Sequence, residues 1–262
     1  MATKLTMTLF LFSIFCFQAK AQSNFNELKL EVIENLKWFS QDLNYEAYEE
    51  NNINIDSLAT ITENKLADLL KHKEAKHLNL KEITNIHLNA TTSDSLNIRF
   101  YSFKNLVGPT GYESVHTVIQ WADIDGKLNS NPISSKVSGT VGEIYKLKSN
   151  NSNLYLLISR DYFTEIQYVI QFKEDKLILD YPAFVNSPQI SVNRMKVSFD
   201  EITQVLSIES YENVDIDDNT LLPMKAYTDE NPSFEKIIKQ FDKQLQINRS
   251  IKLIFDGNKF IY

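Results

Sequence analysis

Polar and apolar residues alternate along two neighbouring stretches of the chain, from Leu96 to Phe103 and from Ser114 to Ala122. Alternation with a period of two is typical of a β-strand that buries one of its faces. The residues between the two stretches include two glycines and a proline, which favour a loop. We therefore predict an antiparallel β-hairpin with an apolar face, which contains Trp121, and an opposite polar face.

The polar face of this hairpin is the candidate ligand-binding surface. It consists of Asn97, Arg99, Tyr101, His116 and Gln120. These side chains offer hydrogen-bond donors, acceptors and an aromatic plane on a rigid surface, which suits recognition of a polar ligand or peptide. The solvent side of a half-buried sheet has a similar composition, so both interpretations stay open at this point.

The N-terminal part of the chain has a helical period. Apolar residues recur on one stripe over residues 26–44 and again over residues 56–77, where Asp56 or Ser57 is a candidate cap. The acidic, asparagine-rich residues 45–54 read as the connection between the two helices. We predict a helical hairpin over residues 26–77.

After Leu78 the period of the apolar residues changes from 3.6 to 2. Short alternating segments with turn signals between them indicate an antiparallel sheet, sandwich or barrel. The predicted strands are 83–88, 96–103, 114–122, 141–148, 154–159, 165–172, 176–181, 189–199, 204–211, 221–227 and 251–262. The fold class is therefore α+β, with an N-terminal helical hairpin packed on a large antiparallel β domain.

The predicted domain organisation has three parts. Residues 1–21 read as a signal peptide, residues 22–78 as a helical N-terminal segment, and residues 79–262 as the β domain. One late helix, over about residues 232–246, interrupts the strands, because Asn231-Pro232 provides a cap and a first-turn proline.

The signal peptide is predicted from a cationic head at Lys4, an apolar run from Leu5 to Phe17, and the small-x-small site Ala19-Lys20-Ala21. The apolar run is shorter than the about 20 residues that span a bilayer. We expect the mature chain to begin at Gln22, to contain no membrane span, and to be periplasmic or secreted.

The cysteine content and the net charge of the chain argue against thiol-based sites and against nucleic acid as a partner. Cys16 is the only cysteine and lies in the predicted signal peptide, so the mature chain is expected to have no disulfide and no thiolate metal site. Removing Lys4 and Lys20 leaves 25 basic against 34 acidic residues, a formal charge of −9. An acidic chain is a poor partner for nucleic acid.

The sequence contains only weak metal-binding signals. His72 and His77 are five residues apart, whereas neighbouring helical ligands need a spacing of three or four. Asp215, Asp217 and Asn219 match three ligand positions of a calcium loop, but the glycine and the final glutamate of that loop are missing. An acidic turn and a weak calcium site both fit, and we predict no metal and no other cofactor.

No catalytic motif is recognised in the sequence. There is no GxSxG nucleophile elbow, and the glycine-containing loop at residues 108–111 lacks the lysine of a phosphate-binding loop. A pair of carboxylates for glycoside hydrolysis is defined by its spacing in the fold, so it cannot be chosen among 34 acidic residues. The catalytic residues of any enzyme activity are therefore unknown.

Several predicted strand segments of the chain resemble those of a known protein family. The segments NIRFYSF, VIQW and LIFDGNKFI, with a signal peptide and a helical start, resemble a family of uncharacterised exported bacterial proteins. Those relatives have a tryptophan and an aspartate where this chain has Phe103 and Lys104. The resemblance implies export and a β-rich domain, and it implies no particular activity.

The sequence favours an exported, non-catalytic binding or interaction module of the bacterial cell envelope, with a polar ligand or an envelope protein as partner. The alternative is a secreted hydrolase that acts on cell-wall or glycan material through carboxylates not identified by the sequence. An assembly subunit that pairs through a sheet edge is a third class.

Overall fold

The computed structural model of the protein describes twelve segments of the chain between residues 24 and 261. They are residues 24–39, 45–78, 89–93, 97–107, 112–123, 125–150, 153–161, 164–174, 176–184, 187–193, 195–210 and 250–261. The signal peptide, the predicted strands at 83–88 and 221–227, the late helix, and the Asp215, Asp217 and Asn219 sequence all lie outside the described residues.

The chain divides into two compact units. The first, named the helical unit here, comprises Met1–Asn89 and Phe103–Pro132. The second, named the two-sheet unit, comprises Ala90–Ser102 and Ile133–Tyr262.

The helices predicted near the N-terminus are confirmed. Helix α1 covers residues 24–36 and is followed by a 3₁₀ turn, Lys37–Phe39. Helix α2 is Tyr45–Glu50, helix α3 is Ile55–Leu70, and a second 3₁₀ turn is Lys73–His77.

Two details of the helical prediction are wrong. Residues 45–54 are not only a connection, because α2 occupies their first half; Tyr48 is buried, and its hydroxyl donates to the Trp38 carbonyl oxygen at 2.7 Å. Helix α3 is capped by Asn54, whose Oδ1 accepts the Ser57 N–H at 2.9 Å, and not by Asp56 or Ser57.

The antiparallel, strand-rich architecture is also confirmed, since every strand pairing whose register is described is antiparallel. The described strands are β1 (Asn89–Ser93), β2 (Ile98–Val107), β3 (Tyr112–Ala122), β4 (Leu128–Pro132), β5 (Thr140–Lys146), β6 (Asn153–Asp161), β7 (Thr164–Lys173), β8 (Lys176–Ile178), β9 (Gln189–Asn193), β10 (Met195–Asp200), β11 (Val205–Ser210), β12 (Ser250–Phe255) and β13 (Phe260–Ile261). Strands β1 and β4 were not predicted from the sequence.

The described strands form three sheets. One has the order β1-β2-β3-β4. Within the helical unit, helix α3 packs on its strands β3 and β4. The second has the order β5-β6-β7-β8, with β9 also paired to β7, and the third has the order β10-β11-β12-β13.

The second and third sheets share one hydrophobic core in the two-sheet unit. Alternate residues of the facing strands supply it, as the period of two requires. Its members are Leu147, Leu154, Leu156, Ile158, Val169, Ala183, Phe184, Ile190, Val192, Met195, Val197, Phe199, Leu206, Ile208, Ile251, Leu253, Phe255 and Phe260.

The single strand predicted over residues 189–199 is wrong, because this stretch forms two strands in different sheets. Strand β9 pairs with β7, and β10 pairs with β11. The buried residues change from even positions, such as Val192, to odd positions, such as Met195, where the chain leaves one sheet for the other. Each strand thus keeps its apolar side chains in the shared core.

Candidate functional site

Two of the five predicted site residues, His116 and Gln120, lie on β3 and face helix α3. Gln120 is 2% exposed, and its Nε2 donates to the carbonyl oxygen of Leu70 at 2.7 Å. Leu70 is the last residue of α3, where backbone carbonyls have no partner inside the helix. The Gln120 amide therefore satisfies the C-terminal end of α3.

His116 is enclosed by the same helix and by aromatic rings. Its Nδ1 lies 3.5 Å from Oε2 of Glu63 on α3, with only 14% and 10% of the two side chains exposed. Its ring stacks on Phe103 at a centroid distance of 5.2 Å, and Phe103 in turn contacts Phe39 at 4.8 Å. The imidazole is thus part of the packing between α3 and the sheet.

A third polar contact follows the same line along the helix. Asn105 Nδ2 on β2 donates to Oδ1 of Asp56 at 3.2 Å. The helical partners Asp56, Glu63 and Leu70 are seven residues apart, which is close to two helical turns. One stripe of α3 therefore receives three polar groups from the sheet, and this part of the polar face positions α3.

The other three predicted site residues belong to the two-sheet unit. Asn97 is exposed and precedes β2 with a φ of +51°, a left-handed conformation that asparagine tolerates. Arg99 is half-buried and hydrogen-bonds Tyr101, which is only 3% exposed. Burial raises the pKa of Tyr101, and the neighbouring guanidinium offsets part of that rise.

The prediction of an open polar surface is therefore wrong for Tyr101 and Gln120, which are buried. It is wrong because both faces of these strands are covered: Val118 and Ile119, neighbours on opposite faces of β3, are both fully buried. Ligand binding by Arg99 stays a prediction.

Two glutamates of the two-sheet unit, Glu143 and Glu165, lie close enough to share one arginine, so we asked whether they resemble a catalytic carboxylate pair. Glu143 and Glu165 both bind Arg160, at 3.2 Å and 2.9 Å. The second oxygen of Glu165 accepts the Val197 N–H at 3.2 Å, and Glu143 accepts the Tyr145 hydroxyl. Both carboxylates are engaged by protein groups, so the cluster connects β5, β6, β7 and β10.

A polar cleft lies where β6 begins and β7 ends. Its volume is about 590 Å³, and it is lined by Ser149, Asn150, Asn153, Gln171, Phe172, Lys173 and Glu174. In the register of β6 and β7, Asn153 lies directly opposite Phe172. Side chains of directly opposed residues stand on the same face of a sheet, so this amide and this ring are neighbours.

Turns from the third sheet support the loop that forms one wall of the cleft. The backbone N–H of Lys148 donates to Gln204 Oε1 at 2.8 Å, and its Nζ donates to the Ile202 carbonyl oxygen at 2.7 Å. Gly257, with a φ of +99°, approaches so closely that an added Cβ would lie 3.4 Å from Asn150 Nδ2. These contacts anchor Lys148 and place Gly257 beside Asn150.

Aspartates hold both supporting turns. The pKa of Asp200 is lowered by hydrogen bonds from Thr203 and from the Ile202 N–H, and the pKa of Asp256 is lowered by the backbone N–H groups of Lys259 and Asn258. Ionised carboxylates that accept backbone N–H groups are typical of tight turns.

The cleft combines several neutral polar groups with one charge of each sign. Within the described part of the chain, the side chains of Asn150, Asn153, Lys173 and Glu174 have no hydrogen bond or ion pair. The Phe172 ring is half-buried and held by an edge contact from Tyr155 at 5.5 Å and 79°. The site can therefore offer donors, acceptors and an aromatic surface to a ligand.

Sequence reasoning missed these residues as a site, although it marked their positions. Residues 150–153 and 173–176 lie between predicted strands and have the asparagines and charged residues of turn signals. Their asparagines and charged residues are ordinary turn formers, so composition alone does not distinguish a turn from a binding loop. The pairing of β6 with β7, which sequence reasoning did not contain, brings the start of β6 next to the end of β7.

Comparisons with known proteins found no match, so any function has to be argued from the geometry of the site. No family model matches the chain, and neither a curated protein nor a solved structure matches it. Among the described residues, no group of three or more histidine, cysteine, aspartate or glutamate side chains could hold a metal ion. The helices of the described segments are too short or too polar to cross a membrane.

Proposed function

We propose that the protein is an exported, non-catalytic binding module of the bacterial cell envelope, and that it binds a polar ligand in the cleft lined by residues 149, 150, 153 and 171–174. The observation that carries this proposal is a set of polar side chains, without hydrogen-bond or ion-pair partners among the described residues, beside an aromatic ring that Tyr155 contacts. Binding sites for small molecules commonly combine an apolar surface with a few polar groups that set orientation.

The size and support of the cleft agree with this role. Its volume of about 590 Å³ lies in the range of about 300–1,000 Å³ that is usual for ligand sites. We infer that the two sheets form a β-sandwich, in which loops at one end of a rigid core commonly carry recognition. The hydrogen bonds of Lys148 with Gln204 and Ile202 anchor the chain next to the lining residue Ser149.

Export is supported by the N-terminal pattern of the sequence, and it has its own test. The mass of the protein purified from the periplasm or the medium should correspond to a chain that begins at Gln22. An intact Met1 in that material, or a lipid on Cys16, would contradict this part of the proposal.

Binding is tested by NMR titration of the ¹⁵N-labelled protein with a panel of monosaccharides, polyols, amino acids and dipeptides at millimolar concentration. At least one class should shift the amide resonances of Asn150, Asn153 and Lys173 in a saturable way. Lys136, which pairs with Asp180 away from the cleft residues, provides a reference resonance. If no compound shifts the cleft resonances, the proposed site is wrong.

A further inference from the structure

We propose that the ligand of the cleft is a neutral carbohydrate, an inference that rests on the proposed function and specifies its ligand. The chemical class of the ligand is inferred from the side chains that line the cleft. Asn150, Asn153 and Gln171 each present an amide that both donates and accepts, and Ser149 adds a hydroxyl with the same dual capacity. Vicinal sugar hydroxyls are also donors and acceptors, so one amide can pair with two of them.

The charges of the cleft disfavour anionic ligands. Among the described lining residues Lys173 is the one cation, and Glu174 lies beside it with the opposite sign. Recognition of phosphate or carboxylate groups usually relies on arginine clusters or helix N-termini, and the lining residues that the structure describes include neither. The whole chain carries a formal charge of −7, which adds a long-range repulsion for anions.

The aromatic ring provides the apolar half of sugar recognition. A pyranose has C–H groups on its ring faces, and such a face buries apolar area against a flat aromatic surface. Phe172 is half-buried, lines the cleft, and is held by the edge of Tyr155. A sugar lying on Phe172 would have Asn153 at its side, because the two residues are opposite each other on β6 and β7.

The exposure of the cleft indicates an oligosaccharide segment instead of an enclosed monosaccharide. Asn150, Asn153, Lys173 and Glu174 are all exposed, so the cleft is open to solvent along its rim. An open site lets a glycan chain continue in both directions from the bound residue.

The experiment is isothermal titration calorimetry of the full mature chain with soluble tetrasaccharides of glucose, xylose and N-acetylglucosamine, and with tetraglycine and inorganic phosphate as non-carbohydrate probes. At least one tetrasaccharide should bind. Asn153→Ala should weaken that binding about threefold to tenfold, the loss of one hydrogen bond. Asn131→Ala, at an exposed strand asparagine on β4 outside the cleft, should leave it unchanged.

The ring is tested by a pair of variants that keep the apolar volume. Phe172→Tyr should retain binding, whereas Phe172→Leu should weaken it about twofold to tenfold because the flat surface is lost. Thermal melts check that each variant is folded, and Asn153→Ala carries the test if a Phe172 variant is not.

The outcomes separate this inference from the proposed function. If tetraglycine or phosphate binds with sensitivity to Asn153→Ala and no tetrasaccharide binds, the carbohydrate is wrong and the cleft stands as a binding site. If a tetrasaccharide binds equally to wild type, Asn153→Ala and Phe172→Leu, the cleft assignment is overturned. If no probe binds, the carbohydrate inference is overturned, and the NMR panel judges the cleft separately.

Discussion

Replacing Gln120 by leucine tests whether the polar face of β3 holds helix α3 in position through the hydrogen bond to Leu70. The substitution keeps the approximate size of the side chain and removes only its amide. The 2.7 Å bond from Nε2 to the Leu70 carbonyl oxygen is then lost, and that carbonyl stays buried beside an apolar side chain. We expect Gln120→Leu to lower the free energy of unfolding.

The structure sets the size of this effect. A typical hydrogen bond contributes about 0.5–1.5 kcal/mol net, but a buried acceptor left without a partner costs about 1–3 kcal/mol. Gln120 is 2% exposed, so water cannot easily replace its amide. In a chain of this size 1 kcal/mol shifts the melting temperature by roughly 2–4 °C. A fall of several degrees is therefore expected.

Gln167 offers a matched control with the opposite sign. It is also a buried strand glutamine, with no exposed surface, but neither its Nε2 nor its Oε1 has a hydrogen-bond partner within the described part of the chain. Gln167→Leu removes two unsatisfied polar atoms from the core between the sheets. We expect it to leave stability unchanged or to raise it by about 1 kcal/mol.

The assay is a denaturant or thermal melt of both variants, with hydrogen exchange to locate the effect. Gln120→Leu should speed exchange of the last amides of α3, and Gln167→Leu should not. Equal destabilisation by the two substitutions, or an unchanged α3 in Gln120→Leu, would refute the role assigned to the amide. A loss of ligand binding with unchanged stability would return Gln120 to the list of site residues.

Four further predictions follow from single residues. Trp121→Ala should cost about 3–5 kcal/mol of stability, because the ring is 6% exposed, and an unchanged melt would contradict its placement. Gly257→Ala should cost roughly 1–2 kcal/mol and weaken binding in the cleft, because its φ is +99° and Asn150 is adjacent; a melt and a titration measure both. Because the pKa values of Asp200 and Asp256 are lowered, their support of the turns is present at neutral pH and lost as pH falls below about 4. The amide protection factors of these turns, which correct for the pH dependence of intrinsic exchange, should therefore fall there, and unchanged protection factors would refute this. Arg99→Ala should abolish binding without unfolding if the hairpin face is the site, and equal calorimetric binding by both proteins would exclude that face.

Much of the fold was predictable because the period of the apolar residues is local information. Strand β7 was predicted nearly in place, and β12 and β13 both lie within the predicted strand 251–262. Strand β12 buries alternate residues in one core, as the period of two requires. The division of residues 189–199 was missed, although the apolar positions shift by one between Val192 and Met195. A shift in parity is the sequence signal of a chain that moves from one sheet to the facing one.

The polar face was misread for a physical reason. A strand that faces solvent and a strand that faces a polar stripe of a helix have the same alternating pattern. The stripe Asp56, Glu63 and Leu70 has a spacing of seven, but its meaning appears only when α3 lies on β3 and β4. Long-range packing, which periodicity does not encode, decides between the two.

The cleft differs from the polar face in what its side chains do. His116 contacts Glu63 on α3, and Gln120 donates to the Leu70 carbonyl oxygen at the end of α3. These polar groups are therefore already used in packing the helix on the sheet. The side chains of Asn150 and Asn153 have no hydrogen bond or ion pair within the described part of the chain. A polar side chain without a partner among the described residues is the better candidate for recognition, and this criterion, more than polarity or exposure alone, favours the cleft of the two-sheet unit as the proposed site.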